Sequence, residues 1–145
     1  MAEQTTSSIV IDAPAAQVMA AIVDFEAYPQ WAQGIKAAQV LTQNAEGRAE
    51  TVYFELEAAP IKDSYTLAYT YEGANVLRWT LAEGRMMRAM EGSYDLVETG
   101  SGTQVTYKLS VDVAIPMIGL LRRKAEKVII DTALKGLKKR VESLG

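Results

Sequence analysis

The chain of 145 residues contains no cysteine and no histidine. Without cysteine there is no disulfide framework and no thiolate metal site. Without histidine the commonest general base, the commonest zinc ligand and every His-dependent triad are missing. Any catalysis would fall to Asp, Glu, Lys, Arg, Tyr or Ser. Long hydrophobic runs are absent too, and no stretch approaches the length of a membrane span. Residues 1–8 are polar and do not read as a signal peptide, so the expected location is the cytoplasm. There is no P-loop, no Rossmann glycine fingerprint and no G-x-S-x-G elbow. No metal and no cofactor is expected.

The length suits one domain spanning 1–145. The net charge of −3 is unevenly spread. Residues 1–121 hold seven Lys/Arg against fifteen Asp/Glu, a net of −8. Residues 122–145 hold eight against three, a net of +5.

Ser7-Ser8-Ile9-Val10-Ile11-Asp12 reads as an opening strand, with Ile9 and Ile11 on one face. Pro14 suits the first turn of a helix. Val18, Met19, Ile22 and Val23 follow as one apolar stripe. That helix ends near Asp24. Pro29 disfavours helical geometry at Tyr28, so a short second helix or turn follows, closed by Gly34.

From Ile35 to Ile115 the pattern alternates. Turn signals at 44–47, 59–62, 72–75, 83–84 and 99–102 divide it into six strands joined as antiparallel hairpins. Val52, Phe54 and Leu56 share one face; so do Tyr65, Leu67, Tyr69 and Tyr71. Leu77, Trp79 and Leu81 form another such set, as do Val105, Tyr107, Leu109, Val111 and Val113. One face of the sheet is therefore apolar and the other wet. Pro116 ends the last strand. From Met117 to Leu144 the pattern is helical, about 40 Å of helix. Leu121, Ala125, Val128 and Thr132 form one stripe; Ile130, Leu134, Leu137, Val141 and Leu144 form another. The expected fold is α+β, a seven-stranded antiparallel sheet wrapped around a long C-terminal helix, with two short helices after the first strand.

The inward face carries too many hydroxyls for a dry core. Tyr65, Tyr69, Tyr71, Tyr94 and Tyr107 share its parity with Trp79, and each buried hydroxyl needs a partner. Dry cores favour residues without that demand. A cavity holding water or an oxygen-bearing ligand is the expectation; the alternative is that the tyrosines sit at strand ends with their hydroxyls in solvent. Gly92 either opens room in it or marks a bulge. Met86, Arg88, Met90 and Tyr94 run along the same parity. Met adapts to varied ligand shapes. An inward Arg88 would need a carbonyl or anionic partner; a bulge near Gly92 would turn it outward instead. Trp31 and Tyr28 stand where they could either cap one end or pack beneath the short helix. Trp31, Phe54, Tyr65, Tyr69, Trp79, Met86, Arg88, Met90, Tyr94, Tyr107, Leu121 and Ala125 are the expected cavity residues. Asp63 and Glu91 are the nearest acid–base candidates. Arg122, Arg123, Lys124, Lys135, Lys138, Lys139 and Arg140 on the last helix form either a solvated face or a docking face for an anionic membrane or partner. No nucleic-acid motif occurs.

Four stretches resemble the START-like, helix-grip superfamily. They are Ile9–Ala15 with Val18, Ile22–Trp31 with its aromatic-Pro-Trp signature, Gly92–Leu96 and Gly102–Tyr107. That superfamily includes lipid-transfer domains, plant pathogenesis-related allergens, aromatic polyketide cyclases and coenzyme Q-binding proteins. The Asp24–Trp31 run, and Ile115–Gly119 leading into a basic helix, are most similar to its bacterial cyclase/dehydrase-like and coenzyme Q-binding-like branch. The resemblance implies a pocket lined by the concave sheet and the inner face of the last helix. It transfers no catalytic set. Three functions stay open: a non-catalytic binder or carrier of a lipid, isoprenoid, quinone or polyketide-like molecule; an aromatase/cyclase or dehydratase using Arg88 and an inward tyrosine such as Tyr94; and a docking module using the basic helix.

Overall fold

The computed structural model describes residues 4–58, 61–114 and 119–144. Its elements are β1 (Thr5–Ile11), α1 (Ala15–Val23), a 3₁₀ helix (Phe25–Gln30), β2 (Ile35–Gln43), β3 (Ala49–Ala58), β4 (Ile61–Glu72), β5 (Val76–Gly84), β6 (Met87–Thr99), β7 (Gly102–Val113) and α2 (Gly119–Leu144). The turn signal at Ala59-Pro60 and the Ile115–Ile118 stretch, including Pro116 and the first helical residues expected from Met117, lie outside the described residues.

Strands β2 to β7 form an antiparallel meander, and β1 pairs with β7 to give the order β1-β7-β6-β5-β4-β3-β2. The hairpin turns do the ordering. Gly47 and Gly73 adopt positive φ at two of them, where residues with a Cβ are strained. Seven antiparallel strands closed over one long helix make the helix-grip fold expected from the sequence.

Alternation decides what faces inward. Val52, Phe54, Tyr65, Leu67, Tyr69, Leu77, Trp79, Val105, Tyr107 and Leu109 are all buried. From α2, Ile130, Leu134, Leu137 and Val141 close the core against them, while Leu144 is exposed. Burial at about 25 cal/mol per Å² of apolar surface makes this layer the main source of stability. Two buried carboxylates are tied down by donors. Glu126 of α2 accepts the Val111 N–H at 2.7 Å and the Thr5 hydroxyl at 2.6 Å, joining helix to β7 and β1. Asp63 of β4 accepts the N–H groups of Ser64, Arg85 and Met87 at 2.8, 3.2 and 3.0 Å.

The α1 stripe divides. Val18 and Ile22 are buried with Ala15 and Ala21, but Met19 and Val23 are only half-buried. Helix α1 is apolar almost all round; Gln17 is its only polar side chain. The Glu98 carboxylate of β6 accepts the Ala15 N–H at 3.2 Å and so satisfies one of the free donors at the helix start.

Candidate functional site

The concave sheet and α2 do not fill the space between them. A cavity of about 490 Å³ lies there, a size that suits a small organic ligand. Strands β3 to β7 form its floor. Trp31, Phe54, Tyr65 and Tyr69 line it, as do Trp79, Met90, Tyr94 and Tyr107. Tyr28 and the Gly34-Ile35 turn close one side, and Val128, Ile129, Thr132 and Ala133 of α2 close another.

The rings touch in sequence around the wall. Tyr94 and Tyr107 have centroids 4.6 Å apart, and each lies close to Trp79, at 5.4 and 5.5 Å. Trp79 meets Tyr69 at 5.8 Å, and Phe54 meets Tyr65 at 5.6 Å. These tilted and edge-on contacts fix the rings. Gly92 opens room here and makes no bulge. It pairs with Trp79 across the β5–β6 ladder, and the indole lies against the space where a Cβ would stand.

The hydroxyls divide into two kinds. Tyr28 donates to the Ile22 carbonyl at 2.5 Å. The Tyr65, Tyr69, Tyr94 and Tyr107 hydroxyls have no hydrogen-bond partner among the described residues. None of them is sealed off, since among the described residues no fully buried side-chain oxygen lacks a partner. Each therefore borders the cavity as a free donor and acceptor. Burial, followed by neighbouring tyrosines, holds the Tyr69 and Tyr94 hydroxyls well above the ordinary pKa of 10.0. Burial also raises those of Tyr65 and Tyr107. Burial therefore favours the neutral phenol at all four. Among the described residues Lys36 and Glu57, both exposed, are the only charged side chains lining the cavity.

Three expected wall residues stand elsewhere. Met86 is half-buried and lines no part of the cavity; Met87 takes its place. Arg88 is exposed and points a guanidinium nitrogen toward the Ala114 carbonyl at 3.5 Å. Both corrections have one cause. The β6–β7 register shifts between Met87 and Ala89, and such a bulge reverses the faces that follow and precede it. The Met87 and Arg85 N–H groups are held by the Asp63 carboxylate, which fixes the bulge four residues before Gly92. Ala125 is half-buried and is not among the lining residues; its stripe reaches the cavity one turn later, at Val128 and Thr132. The Leu121 side chain lies outside the described residues.

The acid–base candidates do not reach the cavity. Asp63 is occupied by three backbone donors, and Glu91 is exposed. Sequence reasoning missed Met87, Ile129 and Ala133. The signal for Met87 was Asp63 itself, an acid on an inward parity that had to find donors.

A cavity of this kind, in a sheet closed by a C-terminal helix, defines a class of ligand-binding folds. Residues 2–142 match the family described as "Polyketide cyclase / dehydrase and lipid transport", and the chain belongs to that family. Among solved structures it is similar to a START superfamily protein from Mycobacterium smegmatis, at 26% identity and a TM-score of 0.93, with 99% of each chain covered. It is similar to TTHA0849 from Thermus thermophilus, at 22% identity and a TM-score of 0.82, covering 98% of this chain and 99% of that one. It shares its fold with the Zhui aromatase/cyclase from Streptomyces sp. R1128, at 13% identity and a TM-score of 0.77, covering 98% of this chain and 94% of that one. No curated protein sequence matches significantly. Among the described residues no helix is long and apolar enough to cross a membrane.

Proposed function

We propose that the protein binds and carries a neutral, largely hydrophobic molecule with hydrogen-bond-accepting oxygens, such as a quinone or a polyketide-like ring system. The observation that carries this reading is the set of four phenols without protein partners. An aliphatic ligand would leave all four unsatisfied, at roughly 1–3 kcal/mol each. A carbonyl-bearing ring would accept from them and stack on the wall. Residues 1–145 would then act as one binding domain in the cytoplasm, without metal or cofactor.

Polyketide cyclisation or dehydration is the catalytic alternative that the family description and the Streptomyces enzyme raise. The site favours binding over catalysis. Burial favours the neutral form of its phenols, which leaves them as hydrogen-bond donors, and the candidate partners Arg88 and Glu91 are exposed and absent from the described lining.

Native mass spectrometry of gently purified protein tests the binding reading. A bound species of a few hundred daltons is expected, with thermal stabilisation by quinones or polyphenols. Consistently empty protein, with no shift from a broad lipid and quinone panel, contradicts it.

A second reading concerns ligand exchange. Val128 lines the cavity and is 59% exposed, so it marks the mouth. Lys124, Lys135 and Lys139 share its side of α2 at helical spacing and make no ion pair among the described residues. An anionic membrane surface would complement them. Flotation with vesicles containing anionic lipid tests this; binding that ignores salt and lipid charge contradicts it.

A further inference from the structure

A second concavity, also about 490 Å³, lies on the outer side of α1 and shares no lining residue with the interior cavity. Ala16, Met19, Ala20 and Val23 form one wall at helical spacing. Ala16 and Ala20 are exposed, and Met19 and Val23 are half-buried against the edge of the core. A helix that is apolar on both faces is normally buried on both. Here the second face looks onto a groove bounded by the β2–β3 and β4–β5 turns.

Among the described residues, one charged side chain lines this groove. Arg48 holds its guanidinium 5.0 Å from the centroid of the Tyr71 ring. It makes no ion pair among the described residues, although Glu46 and Glu50 flank it in sequence. Its position is built. Asn44 Oδ1 accepts the Glu46 and Arg48 N–H groups at 2.9 and 3.1 Å, and the Asn44 N–H donates to the Arg48 carbonyl at 2.8 Å. The Tyr71 hydroxyl donates to the Ala49 carbonyl at 2.7 Å, anchoring the ring beneath. A guanidinium stacked in this way presents its N–H edge for bidentate pairing with a carboxylate.

We propose that this groove is a second binding site, taking an amphipathic monocarboxylate whose carboxylate pairs with Arg48 and whose apolar body lies along Ala16, Met19, Ala20 and Val23. The single cation sets the charge of the ligand. The apolar helix face sets the rest of its chemistry, and Met19 accommodates chains of different shape. The site does not depend on what the interior cavity holds.

Titration of the ¹⁵N-labelled full chain with decanoate, and separately with 1-decanol, tests this. Decanoate is expected to shift the Ala16, Ala20, Gly47 and Gly73 amides saturably. Decanol should act on them about tenfold more weakly or worse. Arg48→Gln, a change at an exposed side chain, should weaken decanoate at these amides by a similar factor. It should leave shifts at Gly34 and Gly92, which report the interior, as they were. Ala20→Glu provides a second disruption of the groove from an exposed position. Three results would each overturn the proposal. Decanoate could move only the interior amides. Decanol could match decanoate at the groove. The groove amides could shift with protein concentration alone, which would assign this face to a second copy of the chain. Failure here leaves the interior reading to be judged by its own amides.

Discussion

The interior cavity and the α1 groove have the same volume and opposite chemistry. The cavity is walled by rings and ends in four neutral hydroxyls without protein partners. The groove is walled mainly by aliphatic side chains and Met19, and ends in one guanidinium over the Tyr71 ring. Volume alone therefore says nothing about what either would hold. The few polar groups decide it, because a polar group left unmet on binding costs more than a methylene gains.

Alkaline unfolding sharpens the contrast most. Burial holds the native pKa of Tyr65, Tyr69, Tyr94 and Tyr107 above the 10.0 of an unfolded tyrosine. The stability they contribute is complete below pH 10 and is lost as pH rises through the native values, because only the unfolded chain then ionises. Tyr71, at the groove, is raised less simply: burial lifts it and Arg48 pulls it back. Urea midpoints between pH 8 and pH 11 should fall beyond pH 10. Tyr94→Phe should flatten that fall; Tyr71→Phe should flatten it less.

Asp63→Ala should follow in size. It strands the buried Met87 N–H and removes the acceptor of the part-buried Ser64 and Arg85 N–H groups, at a cost of about 3 kcal/mol. The urea midpoint should drop, while the groove amides keep their shifts. Gly92→Val drives a Cβ into the Trp79 indole and should cost about 1–3 kcal/mol. It should weaken ligand binding in the cavity and leave decanoate at the groove unaffected. A loss at both sites would break the comparison. The smallest effect belongs to Arg88→Gln, which should change neither binding site and shift stability by less than about 0.5 kcal/mol.

How much of this was written in the sequence follows from the same comparison. Seven strands, their hairpin order and the faces of Val52–Leu56, Tyr65–Tyr69 and Val105–Val113 could be read from period-two alternation and turn residues. The aromatic wall came with them. Met86, Arg88 and Met87 could not be read correctly, because one extra residue in β6 reverses every face before it, and a bulge leaves no alternation of its own. The clue was indirect, in Asp63. Ala125 was placed on the right stripe but one helical turn from the cavity, since spacing gives angle and not depth. The groove was hidden for another reason. Val18, Met19, Ile22 and Val23 read as one core stripe, and only the packed fold shows that Val18 and Ile22 are fully buried while Met19 and Val23 sit half-buried at the core's edge and also line the groove.

The central claim is that the four cavity phenols are there for a ligand's oxygens. Affinities for 2-methyl-1,4-naphthoquinone and 2-methylnaphthalene, measured on the parent and on Tyr94→Phe and Tyr107→Phe, test it most directly. The two probes share a ring system and differ by two carbonyls. The quinone should bind the parent about tenfold more tightly or better. Each Phe variant should narrow that gap while keeping its stability within about 0.5 kcal/mol, because no protein hydrogen bond is lost. Equal affinity for the two probes, or a gap that survives both substitutions, would contradict the account.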